Sequence, residues 1–369
     1  MITKSILALE SSCDETSVSI VQGRFSSSSA IESPAAVKVL AHYVESQTSH
    51  LAFGGVVPEV AARDHLLKIT PLAMECISRS GINPQDLDGI AVTSGPGLIG
   101  ALMVGSLFAQ GLSLALKKPL LAINHVDAHL APALMLNRFS PETDLQQWID
   151  IPAVEFPALA LTVSGGHCHL SLLKSPIERV ILGHTADDAC GEAFDKVAKL
   201  LGLPYPGGPH LEKLALLSDN HNQPFKFTST LADKNNRYGF SYSGIKTQVL
   251  DVVRRQLGHP QGRIDGSTLP LATKANIASA FQEAALGQLA DRVQNALRDF
   301  PDTRTLLVAG GVAANGVFRE KMKAFEKLRI RFAPLSLCSD NATMIGLHAL
   351  LPGTMLASNH PFSRYSYPS

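Results

Sequence analysis

Cysteine is scarce and scattered in this sequence. The 369 residues include five cysteines, and no two of them form a C-x-x-C pair. This spacing argues against a disulfide framework and against a structural zinc finger. We therefore expect the protein to work in a reducing compartment.

An excess of one charge is also missing. Lysine and arginine total 32, and aspartate and glutamate total 32 as well. A balanced chain lacks a uniformly basic surface, so any contact with nucleic-acid phosphates must be local. The densest basic segment is REKMKAFEKLRIR at 319–331, which is either a solvated helix face or such a contact.

Targeting and membrane signals are not recognisable. The N-terminus MITKSILALESSCDET has neither a cleavable apolar leader nor an Arg-rich amphipathic one. No segment approaches a polar-free membrane span. These features predict a soluble cytoplasmic protein that does not bind membranes.

Strand-like and helical patterns alternate along the whole chain, which predicts an α/β fold. Its length and its 45% content of hydrophobic residues predict two lobes. A strand–turn–strand pattern at 6–21 returns at 158–173, as duplicated lobes would show. We expect lobes at 1–150 and 151–345, and a tail at 346–369 that packs back on the first lobe. A helix that begins at Pro58 is expected to kink or end at Pro71.

Two histidines stand four residues apart in NHVDAHLAP at 124–132. If the segment after Asn124 is helical, His125 and His129 lie on one face, and Asn124 is a favoured N-cap. This geometry suits one shared metal ion, with packed histidines as the alternative. Val126 stands where H-E-x-x-H metalloproteases carry their glutamate, so the general base of that class is missing.

Glycine-containing turns follow apolar strands in the second half. Gly165 and Gly166 in VSGGH permit close approach to a phosphate or carboxylate, although a plain hairpin turn is the alternative. In the helix that follows, Asp195 either faces ligand hydroxyls or pairs with Lys199. The segment AGGVAAN ends a strand, where ligands of α/β sheets bind. Asp340, near a helix start, is either a cap or a metal ligand.

Nine segments follow one another along the chain: ESSCDET, FGGVVPEVAARDH, SGPGLIGAL, NHVDAH, VSGGH, GEAFDKVAKLLGLPYPGGP, FSYSGIKT, AGGVAANGVFR and CSDNATMIG. In this order they resemble the TsaD family of tRNA threonylcarbamoyladenosine-forming enzymes, once described as O-sialoglycoprotein endopeptidases. The resemblance covers nearly the whole chain, and the sixth segment is highly specific. The lack of a recognisable leader favours the bacterial type of this family.

The resemblance implies an actin-like (ASKHA) two-lobed α/β fold, with duplicated mixed sheets flanked by helices and an active site between the lobes. It implies transfer of the threonylcarbamoyl group of threonylcarbamoyl-adenylate to the exocyclic amine of adenosine in tRNA. The target adenosine directly follows the anticodon of tRNAs that read codons beginning with A, and AMP is released.

The resemblance also assigns residues. Metal ligands would be His125, His129 and Asp340, holding one divalent ion; iron (Fe²⁺) is expected and zinc is the alternative. No catalytic residue beyond the metal site is assigned. Asp127 and Ala128 replace the commoner Glu-Gly between the histidines, and Thr162 stands where Leu is usual. None of these three residues is among the metal ligands. Substrate-binding positions would be Thr162, Val163, Ser164, Gly165, Gly166, Asp195, Gly208 and Asn315.

Bacterial members act with a shorter TsaB-type paralogue and a TsaE-type P-loop ATPase, whereas the mitochondrial type acts alone as a homodimer. The insertions near 24–37 and 140–155 and the C-terminal tail are atypical and are expected to alter partner contacts. Two other functions remain open. One is a metal-dependent glycoprotein endopeptidase, and the other is a noncatalytic actin-like ATP-binding scaffold.

Overall fold

The computed structural model describes residues 1–26, 33–53, 55–136, 146–218, 223–228, 236–258 and 264–354. The chain divides into two compact units. The first unit combines Met1–Val154 with the segment that begins at Phe332, and the second unit is Glu155–Arg331.

The first unit is built on a six-stranded mixed sheet in the order β5-β4-β1-β2-β3-β6. Strands β1 and β2 form the predicted hairpin, in which Ile6 lies opposite Val21 and Glu10 opposite Ser17. Strands β4 and β5 continue the sheet in parallel with β1. The strands are β1 Ile2–Glu10, β2 Glu15–Phe25, β3 Ala36–Ser46, β4 Gly89–Gly95, β5 Leu120–Asn124 and β6 Ile149–Asp150.

The second unit repeats this plan with the order β11-β10-β7-β8-β9. Each sheet places an antiparallel three-stranded meander beside a strand that runs parallel to the first strand of that meander. The expected duplication of mixed sheets is therefore confirmed in the strand order. The strands are β7 Ala158–Val163, β8 Cys168–Leu173, β9 Arg179–His184, β10 Thr305–Ala309 and β11 Arg329–Phe332.

Helices flank both sheets. In the first unit, α1 continues through Pro71 to Ser80 and is capped by Gly81, so the helix does not end at Pro71, and the expected alternative of a kink there stays a prediction. Pro71 leaves the carbonyl of Leu67 without its helical donor, and this turn is exposed, so water can satisfy that oxygen. The first-unit helices are α1 Pro58–Ser80, α2 Ile99–Leu116, α3 His125–Ala128, α4 Leu130–Met135 and α10 Ala342–Ala349. Those of the second unit are α5 Cys190–Leu200, α6 Gly207–Ala215, α7 Ser243–Gln256, α8 Leu271–Asp299 and α9 Gly316–Lys323.

The C-terminal boundary of the second unit differs from that of the expected second lobe. We expected the second lobe to run to residue 345, but the chain returns to the first unit at Phe332. Helix α10 packs on β1 and β2 of that unit. A Cβ atom at Gly346 would lie 3.1 Å from Cβ of Ala8, so glycine permits this close approach. Sequence periodicity did not reveal that the segment before α10 belongs to the first unit.

Parts of both atypical insertions pack together in the first unit. The short strand β6 pairs with the start of β3, with Asp150 opposite Ala36. The guanidinium of Arg24 lies 4.0 Å from the ring centre of Trp148, as a cation–π contact. Residues 27–32 and 137–145 of these insertions lie outside the described residues, as does 355–369 of the tail.

Candidate metal centre and substrate-binding turns

Three parallel strands of the first unit end at one edge of the sheet, and each brings a polar side chain there. Glu10 is the last residue of β1, Thr93 lies beside it on β4, and His125 follows β5. All three side chains are buried. Ligands of open α/β sheets bind at the carboxyl ends of strands, so this edge is where a site is expected.

The histidine pair is positioned by a capped helical turn. Oδ1 of Asn124 accepts hydrogen bonds from the backbone N–H groups of Val126 and Asp127, which confirms the expected N-cap. His125 begins α3, and His129 joins α3 to α4 in helical conformation. The two rings meet edge to face with their centres 4.8 Å apart.

Asp340 joins the two imidazoles. Its Oδ1 lies 3.4 Å from Nε2 of His125 and 3.2 Å from Nε2 of His129. One ligand atom of each residue lies within 4.8 Å of the other two. The N-cap of α10 is Asn341, whose Oδ1 accepts from the backbone N–H of Met344, so the alternative capping role falls to the neighbour of Asp340.

The carboxylates and imidazoles of this buried cluster stabilise one another's charged forms. Burial on its own raises the pKa of the Asp340 carboxyl, yet the two imidazoles hold it well below the ordinary value. Burial also opposes the charged form of His125, but Asp340 and Glu10 raise the pKa of that imidazole well above its ordinary value. The carboxylates of Asp340 and Glu10 therefore favour a positive charge at the histidines, which either a bound proton or a metal ion would supply.

The donor set fits a divalent metal ion. Both ring nitrogens of His129 are buried and make no aligned hydrogen bond to a described residue, although Nε2 lies near Asp340. Buried polar atoms normally make aligned hydrogen bonds, so Nε2 of His129, which faces Asp340 without that alignment, is available to a metal ion. Two imidazoles and one carboxylate are the ligand set of zinc or ferrous sites that keep an open position. The Asp340 side chain is 21% exposed, so solvent or substrate can reach the centre.

Hydroxyl groups of the sheet hold the segment that carries Asp340. The hydroxyl of Ser17 accepts from the backbone N–H of Ala342 at 2.9 Å. The hydroxyl of Thr343 lies 2.9 Å from that of Ser19 and 2.7 Å from Nδ1 of His42. Because these contacts are buried, they fix the start of α10, and with it Asp340, against the first hairpin.

The VSGGH turn of the second unit packs between two other glycine segments. Its carbonyls at Ser164 and Gly165 accept from the first amides of α5, at Gly191 and Glu192. A Cβ atom at Gly191 would lie 2.8 Å from the carbonyl oxygen of Ser164. Gly310 lies against the other side of the turn, next to Val163. The turn is thus fixed by close backbone contacts that only glycine allows.

Gly165 and Gly166 are exposed at the tip of this turn, with open space where a side chain would stand. Thr162 and Val163 are buried in β7 and position the turn without reaching its surface. The exposed backbone amides are therefore the groups of this segment that can approach a ligand.

Two other predicted substrate residues, Asp195 and Gly208, lie on either side of the break between α5 and α6. Oδ1 of Asp195 accepts the backbone N–H of Gly207 at 2.7 Å. The next residue, Gly208, has open space where a side chain would stand. Asp195 thus fixes the PGGP turn, and its role toward a ligand stays a prediction.

Asn315 has a structural role that the sequence did not indicate. Its Oδ1 accepts from the backbone N–H of Phe318 and caps α9, while Nδ2 donates to Oε1 of Gln282 at 3.0 Å. Both ends of the amide are used inside the second unit, so substrate binding by Asn315 also stays a prediction.

A groove of about 590 Å³ lies elsewhere in the second unit. It is lined by α6, α8, the start of α9 and residues 223–227, and none of the eight predicted substrate residues lines it. The position of this groove therefore does not support a substrate-binding role for those residues.

Acidic partners occupy several side chains of the basic segment 319–331. Lys321 contacts Glu283 at 2.5 Å, and Arg329 lies 3.3 Å from Glu155. The first part of this segment is helical, since α9 ends at Lys323 and Arg329 lies in β11. The pairing of Lys321 matches the alternative of a solvated helix face better than that of a phosphate contact.

Sequence reasoning missed Glu10, which makes the nearest carboxylate contact to His125. Its Oε2 lies 3.1 Å from Nδ1 of His125. A charged residue that ends an apolar strand was the available signal, because isolated charges are rarely buried without a partner.

The duplicated mixed sheets, each flanked by helices, define an actin-like α/β protein. In fold it is similar to HypF of T. kodakarensis, with a TM-score of 0.55 at 13% sequence identity; the match covers 96% of this chain and 48% of HypF. The sequence model of TsaD, tRNA N6-adenosine threonylcarbamoyltransferase, matches residues 38–347.

Two bacterial relatives carry that same description. The one from Chlamydia abortus is 38% identical over 366 residues, which cover 98% of this chain and 96% of the relative. The one from Gluconobacter oxydans is 41% identical over 352 residues, which cover 94% and 88%. The chain belongs to the TsaD family.

Proposed function

We propose that this protein transfers the threonylcarbamoyl group of threonylcarbamoyl-adenylate to the exocyclic amine of the adenosine that follows the anticodon in tRNAs reading ANN codons. The amine nitrogen bonds to the carbamoyl carbon, the bond from that carbon to the AMP oxygen breaks, and the amine loses a proton. The observation that carries this proposal is the convergence of His125, His129 and Asp340 in a member of the TsaD family.

The three side chains would hold one divalent ion, which we propose is Fe²⁺, with Zn²⁺ as the alternative. When bound, such an ion supplies Lewis-acid polarisation of the carbamoyl oxygens. The chain itself contributes orientation, because the capped turn at Asn124 and the hydroxyl contacts of α10 fix the ligands. We further propose that the amides of Gly165 and Gly166 bind the adenylate phosphate, since turn amides favour anions.

A covalent intermediate is not needed, because AMP is already a competent leaving group and positioning can supply much of the rate. Four of the five thiols agree with this. Cys76, Cys168, Cys190 and Cys338 are buried. Burial raises the pKa of Cys190 to about 12, so this thiol is not a ready nucleophile.

The site geometry disfavours the endopeptidase alternative. A zincin needs a glutamate that faces the water on its metal, but Val126 stands at that sequence position. Glu10 contacts Nδ1 of His125, whereas Asp340 faces Nε2 on the opposite side of the ring. Glu10 therefore lies behind the ligand, where it cannot activate water. A noncatalytic scaffold would not need these three side chains together.

The double variant His125→Ala/His129→Ala is expected to lose threonylcarbamoyladenosine formation. Purified proteins are incubated with freshly made threonylcarbamoyl-adenylate and unmodified ANN-decoding tRNA, with and without the bacterial TsaB-type and TsaE-type proteins. The tRNA is then digested, and the nucleosides are identified by mass. We expect product from the wild type only, because the variant lacks two of the three ligands.

His184→Ala is the control, since this histidine is exposed on the second unit. It is expected to retain activity. Product from the double variant at the wild-type rate would refute the metal site. If the wild type made none, even with its partners, the scaffold function would replace the proposed one.

An exposed apolar surface suggests where a partner binds. Ile99, Met103 and Leu107 recur every four residues on α2, and each is more than half exposed. Leu66, Leu67 and Met74 are also exposed on α1, which packs against α2. By length and composition alone, α2 could cross a membrane, contrary to the expectation that no segment approaches a membrane span. Exposed apolar side chains on two packed helices favour an interaction site, and we propose that the TsaB-type paralogue covers them in the cytoplasm.

Leu107→Asp is expected to abolish the complex with a TsaB-type protein, because the buried interface would then contain an unpaired carboxylate. Size-exclusion chromatography with light scattering measures the mass of the mixture. Ile177→Asp, at an exposed position of the second unit, is the control and should leave the complex intact. A stable homodimer that Leu107→Asp disrupts would show instead that a second copy covers this surface.

A further inference from the structure

We propose that Glu10 is a positioning residue that sets the metal affinity of the centre by fixing the orientation and tautomer of His125. This inference rests on the proposed metal site and goes beyond it, because it concerns a side chain outside the ligand set. Glu10 and His125 are 115 residues apart in sequence, and the parallel strands β1, β4 and β5 bring them together.

The geometry assigns opposite roles to the two nitrogens of His125. Nδ1 lies 3.1 Å from Oε2 of Glu10, and Nε2 lies 3.4 Å from Oδ1 of Asp340. A carboxylate can only accept, so the contact with Glu10 requires the proton on Nδ1. The lone pair of the neutral ring is then on Nε2, which faces the other ligands.

Glu10 is itself held in place by two donors. The hydroxyl of Thr93 donates to Oε2 at 2.5 Å, and the backbone N–H of Ser12 donates to Oε1 at 2.6 Å. The carboxylate is fully buried, so these contacts and His125 restrict it to one orientation. A carboxylate that accepts from a ligand histidine makes the imidazole a stronger donor to the metal.

Ser12 offers an alternative partner for the same nitrogen. Its hydroxyl lies 3.2 Å from Nδ1 of His125. A hydroxyl can donate as well as accept, so it would permit either tautomer of the ring. The Glu10 carboxylate permits only the tautomer with the proton on Nδ1. Replacing Glu10 and Ser12 separately therefore distinguishes their roles.

The test measures Co²⁺ and Zn²⁺ affinity of the purified full-length protein by competition with a chromophoric chelator. Glu10→Gln is expected to weaken binding about 10- to 100-fold, the range for outer partners of metal ligands. Its amide can present N–H groups to Nδ1 and so favour the wrong tautomer. The visible absorption spectrum of the Co²⁺ form should also change, which a loss of fold stability alone would not cause.

Ser12→Ala is the matched control, because it removes the other contact to Nδ1 and keeps the backbone N–H that holds Glu10. It is expected to bind nearly as tightly as the wild type. Thr93→Val removes the hydroxyl that donates to Oε2 of Glu10, so it should weaken metal binding by a smaller factor. This variant replaces Glu10→Gln in the test if Glu10→Gln does not fold. Melting temperatures of the metal-free forms report folding.

Unchanged affinity and spectrum in both Glu10→Gln and Thr93→Val would overturn the role of Glu10. An equal loss in Ser12→Ala would assign the effect to the hydroxyl instead. If the wild type bound neither ion, the metal centre itself would be refuted, and this inference with it. Each result is independent of the transfer assay.

Discussion

Replacing Asp340 by alanine is expected to weaken divalent metal binding by more than the roughly 100-fold that is typical of losing an outer partner. The reason is that Asp340 is the carboxylate that approaches Nε2 of both histidines. Transfer activity should be lost with the metal. Binding is measured by Co²⁺ titration, and activity by the mass of the nucleosides.

Asp127→Asn is the matched control for Asp340→Ala. This carboxylate lies between the two histidines in sequence but is not part of the three-residue ligand group. We expect the metal affinity of Asp127→Asn to stay near that of the wild type. A thermal assay adds an independent measure, because an ion at about 100 times its dissociation constant stabilises the folded state by roughly 2.7 kcal/mol. Wild-type affinity in Asp340→Ala would remove this residue from the metal centre.

Replacing Gly310 by alanine is expected to destabilise the second unit by about 2–5 kcal/mol. Gly310 has φ of 92° and ψ of 164°, a conformation that is essentially confined to glycine. A Cβ atom would also lie 2.6 Å from the carbonyl carbon of Val163. Because that backbone belongs to the VSGGH turn, the turn must move or the strand must shift.

The neighbouring Gly311→Ala is the control. Gly311 is exposed, and a Cβ atom there meets open space. We expect its stability to stay within about 0.5 kcal/mol of the wild type. Differential scanning calorimetry of both variants makes the comparison. Equal melting temperatures would contradict the constraint at Gly310. If Gly311→Ala stayed stable but lost adenylate binding, a ligand would approach this position.

Local sequence patterns predicted the elements of the site well. Asn124 at the end of an apolar run predicted a capped helical turn, and hydrogen bonds of its side chain confirm it. The strand–turn–strand patterns around ESSCDET and VSGGH predicted both hairpins, because alternating apolar residues and a polar turn are local features. Each could be derived without knowing where the rest of the chain lies.

Residues distant in sequence were harder to assign. Asp340 could have been a helix cap or a ligand, and the order of residues alone did not distinguish the two. The structure places the cap on Asn341 and turns Asp340 toward the histidines. The end of the second lobe was misplaced for the same reason, because the packing of α10 on β1 and β2 has no signature in local periodicity.

The sequence by itself determined the α/β class, the duplicated hairpins, the histidine pair on one helical turn and, through its nine segments, the family. Hydrophobic period, turn chemistry and capping act over a few residues, so they are legible in the chain. Only the tertiary structure decided that Glu10 lies behind His125, that Asp340 completes the cluster, and that Asn315 caps a helix. These contacts join residues from separate strands and helices, and strand order and helix packing, which no local pattern encodes, bring them together.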